Sequence, residues 1–136
     1  MGTALVIGYG SVGKRHAKIL SNLNNFDEVV ILSKQKIRGY RSISSLNKIK
    51  DVNPVYIVIA SVTKKHFEHL SFCEKNLTGK IIILEKPVFD KFRRLKITNN
   101  SVYIGYNLRF HPIIQKLKKE INKQNIININ IHNSSF

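Results

Sequence analysis

Cysteine is nearly missing, with Cys73 alone among 136 residues. A lone thiol excludes a disulfide scaffold and a cysteine-cluster zinc site. Long apolar runs are missing as well. None approaches the ~20 residues needed to span a bilayer, so no membrane partner is expected. Met1 leads straight into the apolar residues 3–7 (TALVI). No basic segment precedes that run and no small-residue cleavage site follows it, unlike a secretory leader. A reducing, cytoplasmic setting is the expectation. There are no internal repeats and no low-complexity linker, although asparagine becomes dense after residue 122. Carboxylates are scarce too: eight Asp and Glu stand against 23 Lys and Arg, a formal net charge of +15.

What is present is an ordinary apolar fraction of 43%. That fills a real core and excludes disorder as the main state. At ~100–200 residues per domain, the length suggests one domain with at most a stub of another. The charge has three readings: a nucleic-acid partner, an anionic small molecule, or composition. Lysine outnumbers arginine 17 to six, and lysine, isoleucine and asparagine are all heavily used. These are AT-rich codons, which favours composition for part of the excess. The basic residues are scattered, with only short clusters at Lys64-Lys65, Arg93-Arg94 and residues 116–119. Basic residues do not interleave with aromatics as in single-strand binders, so no specific nucleic-acid partner is expected.

Apolar runs at residues 3–7, 29–32, 55–60, 80–84 and 102–106 predict five strands buried on both faces. Between them, residues 11–23, 42–49, 64–75 and 112–123 carry helical spacing. In the second of these, Ile43, Leu46 and Ile49 stand three apart. In the third, Phe67, Leu70 and Cys73 are expected to face inward. Strands alternating with helices predict an α/β fold, a doubly wound parallel sheet of Rossmann type with helices on both faces. Ile127, Ile129 and Ile131 alternate with polar residues. That pattern predicts a half-buried antiparallel strand in need of a partner sheet. The expected division is residues 1–124 as the nucleotide-binding domain and 125–136 as the first strand of another. An exposed isoleucine face there predicts a homo-oligomer through that strand.

The first strand runs directly into Gly8-Tyr9-Gly10-Ser11-Val12-Gly13, which opens the first helix. This is G-x-G-x-x-G between a buried strand and an amphipathic helix, the context in which it binds dinucleotides. Gly8 permits the tight turn, Gly10 lets backbone approach a pyrophosphate, and Gly13 lets helix and strand pack closely. The helix N-terminus, at Ser11 and Val12, offers free N–H groups to phosphate. An NAD site usually carries a carboxylate at the end of the second strand, holding the ribose 2′-hydroxyl. Here that position reads Ser33-Lys34. A hydroxyl donor and a cation suit a 2′-phosphate, so NADP(H) is favoured, with NAD possible as the alternative. In this topology the first strand and strand 80–84 are expected to flank the switch point where ligands sit. Strand 80–84 ends in Glu85-Lys86-Pro87, which places Lys86 beside the crevice as the catalytic candidate, orienting substrate and moving a proton. Ser61 and Thr63 stand where they could cap the next helix or line the crevice. His66, on the first turn of that helix, reads on its own as a surface histidine.

Together these segments resemble the Gfo/Idh/MocA oxidoreductases, relatives of glucose–fructose oxidoreductase and inositol dehydrogenase. The matching stretches are residues 6–16 (VIGYGSVGKRH), 59–68 (IASVTKKHFE), 84–87 (LEKP) and 105–112 (GYNLRFHP). The resemblance implies an NAD(P)-binding domain followed by a larger α/β substrate domain. It implies hydride transfer between the nicotinamide and a sugar, cyclitol or nucleotide-sugar carbon. It gives Lys86 contact with cofactor and substrate, and adds Ala60, His66, Glu85 and Asn107 as cofactor contacts within the same motifs. Ser33-Lys34 resembles the Ser-Arg pair that marks NADP use in some members. Two departures stand out. Only 14 residues separate Pro87 from Val102, which predicts a short helix there. The family's acid/base histidine also belongs beyond Phe136, and neither His111 nor His132 sits in its motif. The resemblance therefore predicts a chain that is truncated and inactive or weakly active alone. The alternatives are a non-catalytic nucleotide-binding module and, on charge alone, a nucleic-acid binder.

Overall fold

A computed structural model describes residues 2–121. Six strands form one sheet: β1 (Gly2–Ile7), β2 (Phe26–Leu32), β3 (Arg41–Ile43), β4 (Tyr56–Ile59), β5 (Ile81–Leu84) and β6 (Ser101–Ile104). Their order is β3-β2-β1-β4-β5-β6, and every neighbouring pair is parallel. The helices are α1 (Ser11–Asn22), the single turn α2 (Ile49–Val52), α3 (Thr63–Asn76) and α4 (Pro112–Ile121). The chain divides into two compact units, Met1–Gly105 and Tyr106–Phe136. The expected boundary at residue 124 and the strand through Ile127, Ile129 and Ile131 lie outside the described residues.

The central stretches Ala4–Ile7, Val29–Leu32 and Ile57–Ile59 are apolar without a break because a parallel sheet covered on both sides has no wet face there. Alternation still sorts their side chains. Leu5 and Ile7 join Val30, Ile57, Ile59 and Ile82 in one cluster, against Leu70, Cys73 and Leu77 from the α3 side. Ala4 and Val6 join Val29, Ile31 and Val58 in the other, against Ala17 and Leu20 of α1. Helices thus lie on both faces, as the alternating pattern predicts. Burial, with the Glu74 carboxylate adding to it, pushes the Cys73 thiol up to about 12, so it packs as an inert apolar group.

Three expectations need correction. Residues 42–49 are not a helix: Arg41–Ile43 is β3, Leu46–Lys48 a 3₁₀ turn, and α2 starts at Ile49. Ile43 and Ile49 are still buried and Leu46 partly so, but a strand, a turn and a helix deliver them in succession. The apolar spacing was the same as a helix would show. The sheet therefore has six strands rather than five. The switch point lies between β1 and β4, which pair directly, whereas β5 is one strand further out. The crossover from β5 to β6, residues 85–100, contains no helix.

Candidate functional site at the carboxyl edge of the sheet

The glycine loop is built by backbone crowding. Gly8 has φ +99°, a conformation open to glycine, and a Cβ there would lie 2.6 Å from the Ser61 Cα. A Cβ on Gly13 would meet the Gly8 carbonyl oxygen at 2.1 Å. These two glycines bring α1 down onto the loop and the loop against the end of β4. Gly10 is different: nothing lies within 4 Å of the place its Cβ would occupy. It caps α1 without a side-chain hydrogen bond, and no acidic residue sits in the first turn. The first helical bond runs from the Lys14 N–H to the Gly10 carbonyl (2.9 Å). The amides of Ser11, Val12 and Gly13 therefore point out of the helix with its positive dipole end behind them. This is a cradle for an anion with its floor left open, and it fits a pyrophosphate.

Beside the loop a cavity of about 760 Å³ follows the carboxyl ends of β1 to β4. Gly8, Leu32, Ser33 and Lys34 line one side, Ser44, Leu46 and Asn47 another, and α3 closes it with Lys65, His69 and Phe72. Ser33 Oγ accepts a hydrogen bond from the Gln35 N–H (3.1 Å), which leaves its hydroxyl proton to donate elsewhere. Lys34 is exposed and has no ion-pair partner among the described residues. The acids of β2, Asp27 and Glu28, lie at its opposite end. Glu68 is the carboxylate lining the cavity, and Lys65 Nζ meets it at 2.7 Å. That bond holds the Glu68 carboxyl below its usual range.

Two expected residues have other partners. Ser61 Oγ bonds His69 Nδ1 (2.9 Å), and α3 is capped by Val62 without a side-chain bond, so neither Ser61 nor Thr63 caps it. Thr63 opens the helix half-buried. His66 is not a surface histidine: it is 1% exposed. Its Nδ1 faces the carbonyls of Pro87 (2.9 Å) and Val88 (3.2 Å), and its Nε2 faces that of Ser61 (2.9 Å). His66 is thus a strut between the end of β4 and the segment after β5. Ala60 is half-buried, its N–H donated to Ile7 at 2.9 Å.

Glu85 reaches back across the sheet edge to α1. Its Oε1 lies 2.7 Å from His16 Nε2, and its Oε2 accepts from the Lys86 N–H (3.3 Å). A Cβ on Gly105 would approach the same carboxylate to within 3.2–3.3 Å. Lys86 itself is exposed, its side chain without an ion pair among the described residues, and the Lys86–Pro87 bond is cis. Asn107 belongs to the second unit, where it opens a 3₁₀ turn, Asn107–Phe110.

Sequence reasoning did not find His69, Ser44 or Asn47. His69 had a legible signal: residues 65, 68, 69 and 72 share one face of α3, the i, i+3, i+4, i+7 pattern. Burial, only partly offset by Glu68, pushes the His69 pKa down, which favours the uncharged ring. Ser44 and Asn47 were hidden by the helix expected over residues 42–49.

The architecture and loop define a Rossmann-type, doubly wound fold. No protein-family model matches the sequence, and no curated protein matches it. Solved structures do. The WlbA dehydrogenase of Bordetella pertussis, solved with NADH and UDP-GlcNAcA, superposes with TM-score 0.75 at 20% identity, over 89% of this chain and 42% of that one. Scyllo-inositol dehydrogenase of Lactobacillus casei gives TM-score 0.72 at 15% identity, over 90% and 42%. UDP-N-acetylglucosamine 3-dehydrogenase GnnA of Acidithiobacillus ferrooxidans gives 0.62 at 20%, over 88% and 43%. Over the part it spans, the chain has the fold of these Gfo/Idh/MocA-type dehydrogenases. It spans about two fifths of the length of each.

Proposed function

We propose that this chain binds NADP(H) at the glycine loop, as the dinucleotide-binding part of a Gfo/Idh/MocA-type oxidoreductase acting on a sugar, cyclitol or nucleotide sugar. The observation that carries the reading is the open cradle at Gly10, with free helix amides behind it and the cavity beside it. Closed packing at Gly8 and Gly13 builds the loop, and open space at Gly10 leaves room for a phosphate. The amides of Ser11 to Gly13 would hold the pyrophosphate. Ser33 and Lys34 would hold the ribose 2′-phosphate, supported by the lack of a carboxylate at that end of β2. The Lys65–Glu68 pair leaves little negative charge in the cavity to repel it. When bound, the nicotinamide ring supplies or takes up the hydride. Glu85 fixes the Lys86 amide and leaves the Lys86 ammonium free to orient a substrate hydroxyl and to hold or release a proton at Nζ. His69 and Ser61 offer a hydrogen-bonded pair on the cavity wall.

The test is titration of NADPH and NADH into the full chain, followed by nicotinamide fluorescence. NADPH is expected to bind at least tenfold tighter, and Lys34→Glu to abolish that preference. Binding of neither dinucleotide would overturn the whole reading. Tighter binding of NADH would overturn the cofactor assignment alone.

A further inference from the structure

The crossover from β5 to β6 carries no helix, and part of the sheet face it spans is left open. Beneath residues 85–100 lies a cavity of about 600 Å³. Its floor is aliphatic, formed by Leu84 of β5 and by Val102 and Ile104 of β6. Leu70 of α3 bounds it on one side, and Val88 and Leu95 of the crossover bound it on another. An apolar cavity of ~300–1,000 Å³ with a few converging polar groups is the usual form of a small-molecule site. All the charged residues lining it are cations: Arg93, Arg94 and Lys96.

These three differ in how far they are engaged. The Arg93 guanidinium stacks 4.8 Å from the Phe67 ring, and its Nε lies 3.5 Å from the Asp90 carboxylate. The Arg94 guanidinium lies 5.6 Å from the ring of Phe92, which is 87% exposed. Neither Arg94 nor Lys96 has a carboxylate within ion-pair distance among the described residues, and no carboxylate lines the cavity. A neutral apolar ligand would cover the floor but make no use of the two exposed cations at its rim. A small hydrophilic anion would leave the aliphatic floor in contact with water. One chemistry answers both.

We propose that this cavity takes an amphiphilic monoanion, an unbranched hydrocarbon chain lying on the aliphatic floor with its carboxylate met by Arg94 and Lys96. The cavity shares no lining residue with the one beside the glycine loop, so the site stands apart from dinucleotide binding.

The probe is dodecanoate below its micellar concentration, displacing a dansylated undecanoate from the full chain. Saturable displacement is expected, at least tenfold weaker for dodecanol and weaker still for dodecyltrimethylammonium. Arg94→Glu/Lys96→Glu alters exposed side chains only, and it should cost dodecanoate at least tenfold while gaining affinity for the ammonium analogue. Val88→Trp should fill the cavity and reduce binding of all three. Equal affinity for the three head groups, or a charge-reversed variant that binds dodecanoate unchanged, would overturn the proposal. Competition with NADPH would place the ligand in the other cavity and overturn it as well. Binding to phosphatidylglycerol vesicles with no response to monomeric dodecanoate would assign the cations to a bilayer surface and likewise reject the free ligand.

Discussion

Beside β1 and β4, a Cβ added to Gly13 would sit 2.1 Å from a backbone oxygen, whereas beside β5 and β6 the crossover spans a cavity of about 600 Å³. Both regions belong to one parallel sheet and share its apolar core. The first is held by backbone against backbone, where glycine is the residue that fits. The second is held by side-chain hydrogen bonds at its far end. Glu74, 4% exposed, accepts from the Thr98 and Asn99 amides, both at 2.6 Å, and from Asn100 Nδ2 at 2.9 Å. This carboxylate closes off the crossover where other doubly wound connections pack a helix. Steric construction tolerates no side chain but needs no particular charge. Hydrogen-bonded construction tolerates space but depends on one ionised group.

The glycine loop should be the most sensitive part of the molecule. Gly13→Val should destabilise the chain by about 3 kcal/mol or more, because backbone has to move. Urea unfolding measures it, and a loss under about 1 kcal/mol would show that the loop can give. Glu74→Ala should cost ~2–3 kcal/mol, since several amide donors lose their acceptor. Its pH dependence sharpens the contrast. Burial raises the Glu74 pKa, but the bonds from Thr98, Asn100 and Asn99 outweigh it and hold the group below its usual range. A carboxyl lowered in the folded state adds stability that is complete above its unfolded value of ~4.3 and disappears as pH falls through the lower folded value. The gap between the native chain and Glu74→Gln should therefore narrow from pH 5 downward. A gap that stays constant would assign the effect to shape instead of charge.

Gly10→Ala separates building the loop from using it. With open space around the new Cβ, stability should change by no more than about 1 kcal/mol. Dinucleotide affinity should fall at least tenfold in the same fluorescence titration. A variant that binds as well as the native chain would count against the cradle. The smallest effect belongs to Glu68→Gln. Its ion pair with Lys65 is solvent-exposed, so unfolding should shift by about 0.5 kcal/mol or less. A larger shift would mean that the cavity wall contributes to the fold.

Much of the first region was legible in one dimension. The apolar runs at residues 3–7 and 55–60 suit doubly covered strands, and the glycine spacing follows the first of them at once. His66 shows the limit. Its place on the first turn of α3 was readable, but its burial depends on Pro87 and Val88, 21 and 22 residues away. The His16–Glu85 pair spans 69 residues and leaves no local pattern. β3 was lost because three apolar residues at helical spacing describe a strand, a turn and a helix start equally well. The crossover could be counted as short, but counting does not show that a helix is absent or that a cavity remains.

By itself, the sequence determined the parallel α/β class, the glycine loop and the absence of a carboxylate at the end of β2. These are local: apolar runs and glycines act within one strand and the turn after it. Tertiary structure alone decided the strand order that puts β4 rather than β5 beside β1. It also decided the burial of His66, the closure of the crossover by Glu74 and the cationic cavity beneath it. Each of these joins groups more than 20 residues apart in sequence, and such contacts exist once the chain has folded.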